Sequence, residues 1–526
     1  MQTAKIPRAS SPASVGISQK ILAEMMQDVI DGALDMHSVL VLRHGKVAWA
    51  DYRAPYGPQY PHVMFSVSKS VTSIAVGYAI AEGKFSLEDK VAQLLPALRA
   101  KEEDPYLERL TLRHLLSMTA GKEVSYLTDK TKKQWLRDYA NARWAYPPGE
   151  GWNYCNENIY LLCVILTRVC GECVTDYLMP RLFEPLGIER PFWENDGSGV
   201  EAGGWGLYMT TEDFAKLMLC CTQGGVYEGR QVIPADWLRL ATTAQAQQNQ
   251  EGDLHGNNGY GFCFWMNAVP GSFRADGTLS QFGLCFPEYD ACVVTNGGEV
   301  FTQTMLDTLF RHLPALFTDR SEETPEIPRL PAYPVLEPAP RSRALEEHLE
   351  GRAIHFPAGA QQVPKAFGFP VSVMPMAVFF MSADKAGNID QVRLRFQEDT
   401  LKLSWSEGAQ RNTVLCGMDG RARKCRISLG GIEFTVACSA AWEGGAKLHV
   451  WVRPLNSVAE RRITFAFRGR QVRMTPRSEP SLNKMGVYAA PFAAKALPSP
   501  ALGHVVATTM DKMSLLLEPT HLGFLR

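Results

Sequence analysis

The chain has 526 residues, of which 46% are hydrophobic and 21% charged, a composition typical of globular proteins and unlike that of disordered or fibrous chains. Its 54 lysines and arginines nearly balance 55 aspartates and glutamates, which predicts neither a nucleic acid nor an anionic membrane as a partner. No apolar run approaches the ~18 residues of a membrane helix, and the N-terminus lacks a secretory pattern, so we expect a cytoplasmic protein.

The first 318 residues predict an α/β fold. Apolar residues at helical spacing behind Ser18 indicate an amphipathic helix over 18–34, and the dipeptide His44-Gly45 joins two β-rich runs into a hairpin. A mostly helical region follows, with its strongest segments at 68–82, 111–118, 157–170 and 211–223. Further β-rich runs cover 259–267, 272–276, 281–286 and 290–296, before a helix near 300–317. Strands at both ends of a helical region predict one antiparallel sheet flanked by helices, with a helical insertion.

A proline-rich segment separates this domain, residues 1–318, from a second one. Residues 324–340 hold six prolines, which predicts an extended linker over 319–343. Beyond it, over 344–526, short alternating runs separated by turn residues predict an all-β domain, either an antiparallel sandwich or a barrel. The clearest of these runs are 391–396, 400–406, 424–429, 432–438, 447–453 and 461–467.

The twelve cysteines predict neither a metal site nor a redox centre. Most of them have apolar neighbours, which is typical of reduced core residues. The pair Cys170 and Cys173 has CxxC spacing, but no second such pair or histidine pair accompanies it to complete a zinc site. We therefore expect no metal and no organic cofactor.

The segment Ser66-Val67-Ser68-Lys69, which leads into the predicted helix over 68–82, can support nucleophilic catalysis. A lysine three residues after a serine on a helix lies one turn above it on the same face, within reach of its hydroxyl. A serine hydroxyl is a poor nucleophile at neutral pH unless a base takes its proton, and a lysine is a base only when its pKa is lowered. The pair is common by chance, so it becomes informative only together with further motifs.

Several collinear motifs accompany this pair and carry a family resemblance. In chain order they are FSVSKS, LTLRHLLSMTAG over 110–121, PGEGWNYCN, and GGWGLYMTTEDFAKL over 203–217. Residues 10–318 thereby resemble the serine β-lactamase and penicillin-binding-protein superfamily. They are most similar to the class C β-lactamase-like hydrolases, which include esterases, D-aminopeptidases and 6-aminohexanoate-oligomer hydrolases. The resemblance implies a β-lactamase-like fold for this domain.

The resemblance also implies roles for four residues. Ser66 matches the acylated nucleophile, and Lys69 matches its proton acceptor. Tyr154 matches the tyrosine of the family's Tyr-x-Asn motif, which shares the proton or relays it to the leaving group. Asn156 matches the residue that holds Lys69 and a substrate amide. Lys69 and Tyr154 would titrate as a coupled pair, and the sequence leaves open whether the pKa of Lys69 is raised or lowered.

The third family motif departs from the usual pattern. Ala275-Asp276-Gly277 stands where the family has Lys-Thr-Gly or His-x-Gly, so the cation that binds a substrate carboxylate is missing, which predicts poor turnover of penicillins and cephalosporins. The resemblance implies that Gly277 lets substrate lie against the strand and that the backbone N–H groups of Thr278 and Ser66 form an oxyanion hole. Asp276 is either a solvated or structural carboxylate or a contact for a cationic substrate.

Other polar and aromatic residues near these motifs have less specific interpretations. His62 and His114 are expected to be hydrogen-bond partners rather than bases, and Glu150 a surface carboxylate. His255 lies in a loop rich in glycine and asparagine that could border the pocket. Four aromatic residues fit either a substrate pocket or the core, namely Trp152, Trp205, Tyr208 and Trp265.

These patterns together predict a serine hydrolase that cleaves an ester or amide of a small molecule through an acyl-enzyme on Ser66. The alternative is a low-turnover binding or sensor protein related to penicillin-binding proteins, an interpretation that the missing cation keeps open. The simultaneous presence of Ser66, Lys69, Tyr154 and Asn156 favours the enzyme. Substrate identity, the role of the second domain and the oligomeric state do not follow from the sequence.

Overall fold

A computed structural model describes residues 5–99, 104–123, 135–248, 258–318, 325–357, 372–375, 389–481, 483–485 and 518–526. The chain forms two compact units, Met1–Pro331 and Ala332–Arg526. Each unit is described by itself below.

The first unit is built from eleven described α-helices and eleven described strands, besides three short 3-10 helices and one π-helical turn. The helices are α1 Gln19–Asp31, α2 Val67–Ala81, α3 Val91–Leu94, α4 Pro105–Arg109, α5 Leu112–Leu116, α6 Trp135–Asn141, α7 Asn156–Cys170, α8 Val174–Leu178, α9 Thr211–Thr222, α10 Ala235–Ala241 and α11 Thr302–Phe310. The strands are β1 Met36–Arg43, β2 Lys46–Tyr52, β3 His62–Val63, β4 Phe192–Trp193, β5 Leu207–Met209, β6 Val226–Tyr227, β7 Arg230–Gln231, β8 Trp265–Met266, β9 Phe273–Gly277, β10 Gln281–Phe286 and β11 Ala291–Gly297.

The main sheet of this unit joins strands from both ends of its sequence. Its antiparallel order is β2-β1-β11-β10-β9-β8, and β1 pairs with β11 in a register that sets Val39 opposite Thr295. One face packs its core against α1 and α11, while Gly283 on the other face lies so close to Phe214 and Met218 of α9 that an added Cβ would overlap them. The predicted α/β fold, an antiparallel sheet flanked by helices with a helical insertion, is confirmed.

Local sequence signals explain the first elements of the chain. The Ser18 side chain accepts a hydrogen bond from the backbone N–H of Ile21 and so caps α1, as its position before the apolar pattern predicts. His44 and Gly45 both have positive φ angles, 52° and 70°, which a tight hairpin turn between β1 and β2 requires. Both the predicted helix and the predicted hairpin are present.

The strand expected over 259–267 is shorter than its sequence suggests. Regular pairing is confined to β8, because Gly259 and Cys263 have φ angles of 105° and 65°, which interrupt extended backbone. Gly261 approaches α10 so closely that an added Cβ would overlap the Ala241 carbonyl oxygen. Packing against α10 therefore overrides the β-rich composition in this segment.

The second unit is an antiparallel sheet that closes on itself. It contains α12 Arg343–Leu349 and the strands β12 Ile354–His355, β13 Ile389–Phe396, β14 Thr400–Glu407, β15 Gln410–Gly417, β16 Arg423–Leu429, β17 Ile432–Glu443, β18 Lys447–Pro454, β19 Glu460–Arg468, β20 Gln471–Glu479 and β21 His521–Leu525. The strand order runs β15-β14-β13-β12-β21-β20-β19-β18-β17-β16, and a bridge between Gly417 and Ser439 joins β15 back to β17. Of the two predicted architectures, the closed barrel is the one observed.

The length and hydropathy of the helices bear on whether the chain could span a membrane. Within the described residues, no single helix is long and apolar enough to cross a membrane. Two consecutive helical segments, Asn156–Cys170 and Val174–Phe183, together have the length and apolar composition of a membrane span. The chain bends by 71° between them, however. Most side chains of α7, the first of them, are buried inside the unit.

Candidate active site

Ser66 occupies the N-terminal end of α2, directly after a strained residue. Phe65 has a φ angle of 44°, a left-handed conformation that is rare for a bulky side chain and costs roughly 1–3 kcal/mol. The backbone before it is held in place, because β3 pairs with β5 and the N–H of Met64 donates to the Leu207 carbonyl at 2.8 Å. Ser66 is therefore half-buried on a rigid, strained turn at a helix N-terminus.

Lys69 lies one turn further along α2, and its side chain is buried among neutral acceptors. Its Nζ is 2.8 Å from Ser66 Oγ, 2.6 Å from Asn156 Oδ1 and 2.6 Å from the carbonyl oxygen of Gly204. The residue is only 1% exposed, and this burial lowers the pKa of Lys69 to about 7 because the charged form loses its hydration. A substantial fraction of Lys69 is thus neutral at pH 7 and able to accept a proton from Ser66.

The third and fourth predicted residues reach Lys69 from the start of α7. Asn156 is the first residue of this helix, so its side chain points back to Lys69. The Tyr154 ring, two residues earlier, has its centroid 4.7 Å from Lys69 Nζ. Gly204 can approach both groups because it has no side chain; an added Cβ would lie 2.8 Å from the Asn156 carbonyl oxygen. The structure therefore brings Ser66, Lys69, Tyr154 and Asn156 together.

The end of β9 lies directly beside the turn that carries Ser66. An added Cβ on Gly277 would overlap the carbonyl oxygen of Met64, two residues before Ser66. Thr278 follows Gly277 in the turn to β10, and Gly277 pairs with Gln281 across that turn. Gly277 is thus required because the backbone of β9 lies close to the backbone before Ser66. This close approach places the residues of the third motif next to Ser66.

Asp276 forms an ion pair with Arg274, a residue that the sequence analysis did not single out. Arg274 Nε donates to Asp276 Oδ2 at 2.7 Å, and its Nη1 donates to Asn267 Oδ1 at 3.0 Å. The Arg274 side chain is 3% exposed and that of Asp276 is 18% exposed. Arg274 and Asp276 are two residues apart on β9, so their side chains lie on the same face of the strand. The alternation of side chains along a strand could therefore have predicted this ion pair from the sequence.

Four aromatic rings cluster around Tyr154. Trp152, Tyr154, Tyr260 and Trp265 have neighbouring ring centroids between 5.1 Å, for Tyr260 and Trp265, and 6.3 Å, for Tyr154 and Tyr260. Tyr260 was not a sequence candidate, because it reaches the cluster from a segment more than a hundred residues after Tyr154. Two of the earlier candidates, Trp205 and Tyr208, are instead buried core residues.

His62 is buried and hydrogen-bonded rather than placed as a base. Its Nδ1 lies 2.9 Å from the Val63 carbonyl oxygen, and its Nε2 lies 2.9 Å from Nδ1 of His37. Burial lowers the pKa of His62 to about 3, and the neighbouring His37 acts in the same direction. His62 is therefore neutral at physiological pH and supports the backbone that leads to Ser66.

The remaining sequence candidates lie outside the cluster or outside the described residues. His114 accepts a hydrogen bond from the Thr111 N–H at 3.1 Å and forms a capping box at the start of α5. Glu150 is an exposed carboxylate 3.4 Å from the guanidinium of Arg109. His255 falls in a part of the chain that the structure does not describe.

The described residues contain no group of three or more histidine, cysteine, aspartate or glutamate side chains that could hold a metal ion. Cys170 and Cys173 are free thiols. The Cys173 sulfur lies 3.2 Å from Asp176 Oδ2, at the start of α8.

Comparison with known proteins places this site in a family. The beta-lactamase family model matches residues 19–301. An uncharacterized protein of Alkalihalophilus pseudofirmus is 23% identical over 260 residues, 44% of this chain and 71% of the relative. A lovastatin esterase of Penicillium rubens is 28% identical over 212 residues, covering 29% of this chain and 53% of the esterase. A 6-aminohexanoate-dimer hydrolase of Paenarthrobacter ureafaciens is 26% identical over 231 residues, 40% of this chain and 59% of the hydrolase.

The alignments with the two named hydrolases thus span a little over half of each relative's length. The family match ends before the second unit begins and includes the segments that carry Ser66, Lys69, Tyr154, Asn156 and Gly277. Since it covers more than half of the 526 residues, the chain belongs to the beta-lactamase family, as the collinear motifs predicted.

Proposed function

We propose that the chain is a serine hydrolase that cleaves an ester or amide of a small molecule through an acyl-enzyme on Ser66. The observation that carries the proposal is the buried Lys69 amine, 2.8 Å from Ser66 Oγ. Burial lowers the pKa of Lys69 to about 7, so the amine can act as a base near neutral pH. Family membership and the names of the two hydrolase relatives support the same reaction class.

The proposed reaction has two steps that share the same groups. In the first, Ser66 Oγ attacks the substrate carbonyl carbon while its proton passes to Lys69 and Tyr154, which then protonate the departing alcohol or amine. In the second, a water molecule attacks the acyl carbon, gives its proton to the same pair, and Ser66 recovers its hydrogen. The backbone N–H groups of Ser66 and Thr278 would bind the oxyanion in both steps, each donor lowering the barrier by roughly 3 kcal/mol.

The substrate preference that we propose follows from the third motif. Ala275 is completely buried and has no polar group, so β9 offers no side-chain cation at the position where the family usually has one. A carboxylate on the substrate would lack that partner. We therefore expect a higher kcat/KM for p-nitrophenyl butyrate than for a chromogenic cephalosporin; a faster cephalosporin reaction would contradict this interpretation of Ala275.

The alternative function, a low-turnover binding or sensor protein, is separated from the enzyme by labelling. Incubation with a fluorophosphonate should add one probe to the wild type, measured by intact mass, and the Ser66→Ala variant should remain unlabelled. Ser70→Ala is the matched control, because Ser70 is a buried serine of the same helix whose hydroxyl donates to the Cys263 carbonyl at 2.6 Å; it should still be labelled. Absence of labelling and of ester turnover in the wild type would favour the binding protein.

A further inference from the structure

The ion pair on β9 presents its two members unequally to a ligand. The Arg274 side chain is almost completely buried, whereas part of the Asp276 side chain is exposed. Arg274 binds Asp276 Oδ2 through Nε and directs Nη1 to Asn267. A ligand that approaches the exposed side therefore meets the carboxylate first, and the buried cation behind it only partly cancels that charge.

A continuous series of contacts connects this carboxylate to Ser66. The Arg274 guanidinium carbon is 5.5 Å from the centroid of the Trp265 ring, which is 5.7 Å from the Tyr154 ring. Tyr154 lies 4.7 Å from Lys69 Nζ, and Lys69 contacts Ser66. Asp276 also directly precedes Gly277, which packs against Met64. The exposed carboxylate thus borders the site on the side of Tyr154.

The surroundings of Asp276 suit a positively charged group in a second way. The half-buried rings of Trp152, Tyr154 and Trp265 supply aromatic faces, and such faces attract ammonium groups. Arg274 already makes this type of contact with Trp265. The aromatic cluster and the carboxylate therefore both favour a positively charged ligand. The cation that usually stands in the third motif would instead favour a negatively charged one.

We propose that Asp276 is a specificity-determining residue that makes this site prefer substrates carrying an ammonium group over neutral isosteres, and neutral substrates over carboxylates. The inference rests on the proposed function, since it assigns a substrate class to the same site. It goes further by assigning the preference to one exposed carboxylate and the aromatic rings beside it.

Two matched substrate series test the proposal, because the charge can lie on either side of the bond that is cleaved. The first series varies the acyl group among the p-nitrophenyl esters of 6-aminohexanoate, its neutral isostere heptanoate, and adipate with one free carboxylate. The second varies the leaving group between butyrylcholine and its neutral isostere 3,3-dimethylbutyl butyrate. Hydrolysis of these two esters is measured by titrating the released acid at constant pH. In at least one series, kcat/KM should be about three- to tenfold higher for the cationic than for the neutral substrate. In the acyl series, the adipate monoester should be the poorest substrate.

Three variants assign this preference to Asp276. Asp276→Asn should abolish the cation preference and improve the carboxylate substrate, because it leaves the Arg274 charge uncompensated. Arg274→Gln combined with Asp276→Asn removes both charges and should leave neither preference. Glu150→Gln is the control, since Glu150 is an exposed carboxylate paired with Arg109; it should retain the wild-type ratios. Turnover of the neutral esters by each variant reports whether the site has remained folded.

The outcomes separate the inference from the function on which it rests. If neutral esters are hydrolysed but neither series shows a cation preference, or if Asp276→Asn leaves that preference unchanged, the inference is wrong and the proposed hydrolase stands. If no ester in either series is hydrolysed and Ser66 is not labelled by the fluorophosphonate, the proposed function is wrong and the inference fails with it.

Discussion

Among the described residues of the first unit, three lysines are almost completely buried, namely Lys69, Lys122 and Lys216. The surroundings of Lys69 and Lys216 differ in one respect. Lys216 of α9 donates to the Gly187 carbonyl at 2.7 Å and to the Asp213 carboxylate at 3.1 Å. Lys69 of α2 donates to a hydroxyl, an amide oxygen and a carbonyl. The charge of Lys216 is therefore compensated by an adjacent carboxylate, whereas that of Lys69 is not.

The comparison shows how this fold can produce a base from a residue that is normally a cation. Burial disfavours any ammonium, and an adjacent carboxylate offsets that cost. Without one, burial dominates and lowers the pKa of Lys69 to about 7. The carboxylates of Glu157 and Asp276 act in the opposite direction, but their effect is smaller than that of burial.

The largest expected effect is the loss of the Lys69 amine. Lys69→Ala should lower kcat/KM for p-nitrophenyl butyrate about a thousandfold, because it removes the group that accepts the Ser66 proton. Lys216→Met should keep kcat/KM within about tenfold of wild type while lowering the free energy of unfolding by about 3 kcal/mol, because it leaves Asp213 unpaired. Steady-state kinetics and denaturant unfolding measure the two effects. Equal losses of activity would remove the distinction between the lysines.

A smaller loss should follow removal of the Tyr154 hydroxyl. Tyr154→Phe keeps the ring against Trp152 and Trp265 but cannot relay a proton, so kcat/KM should fall by about 100-fold. Tyr260→Phe is the matched control within the same aromatic cluster, and its activity should remain within about threefold of wild type. If the Tyr260 variant were the more damaged of the two, the relay would have to be assigned to Tyr260.

The pH dependence of activity sharpens the same comparison. Since the pKa of Lys69 is lowered to about 7, the neutral amine is scarce below that pH and dominant above it. The wild-type kcat/KM should therefore rise about tenfold per pH unit below 7 and level off above it. Tyr154→Phe should displace the midpoint, because the proposed mechanism shares the Ser66 proton between Lys69 and Tyr154, and Lys69→Ala should abolish it. A profile that is flat between pH 5 and 8 would contradict a lysine base.

The smallest expected effect concerns a buried carboxyl in the second unit. Glu407 accepts hydrogen bonds from Ser372 and from Trp405 Nε1, both at 3.0 Å. Burial raises the pKa of Glu407 to about 8 from its ordinary 4.5. The folded chain thus retains a proton that the unfolded chain releases near pH 4.5, so stability from this group is complete below 4.5 and is lost as the pH rises through 8.

Glu407→Gln should remove that pH dependence, because glutamine does not ionise. The free energy of unfolding of the wild type relative to the variant should fall by on the order of 2 kcal/mol between pH 6 and pH 8. Glu443→Gln, which changes an exposed carboxylate of β17, should follow the wild type across this range. Denaturant unfolding at several pH values measures both, and identical slopes for wild type and Glu407→Gln would show that Glu407 is ionised in the folded chain.

Much of the fold and the central pair of the site could be predicted because the signals are local. The capping serine of α1 and the dipeptide His44-Gly45 act within a few residues of their own position. The alternation of strands in the second unit is also local, which is why the predicted runs correspond to strands. The strand predicted over 259–267 is confined to β8, because close packing against α10, not composition, determines the backbone before it.

The sequence by itself determined that Lys69 stands one helical turn from Ser66, since a three-residue spacing on a helix has a single geometry. It could not determine the direction of the pKa shift of Lys69, because the groups that surround this lysine are far away in the chain. Asn156 is 87 residues away, and Gly204 is 135 residues away. Three further features likewise depended on the tertiary structure: the ion pair of Asp276 with the buried Arg274, the contact of Tyr260 with Tyr154, and the closure of the second sheet. Burial and long-range pairing are properties of the folded chain.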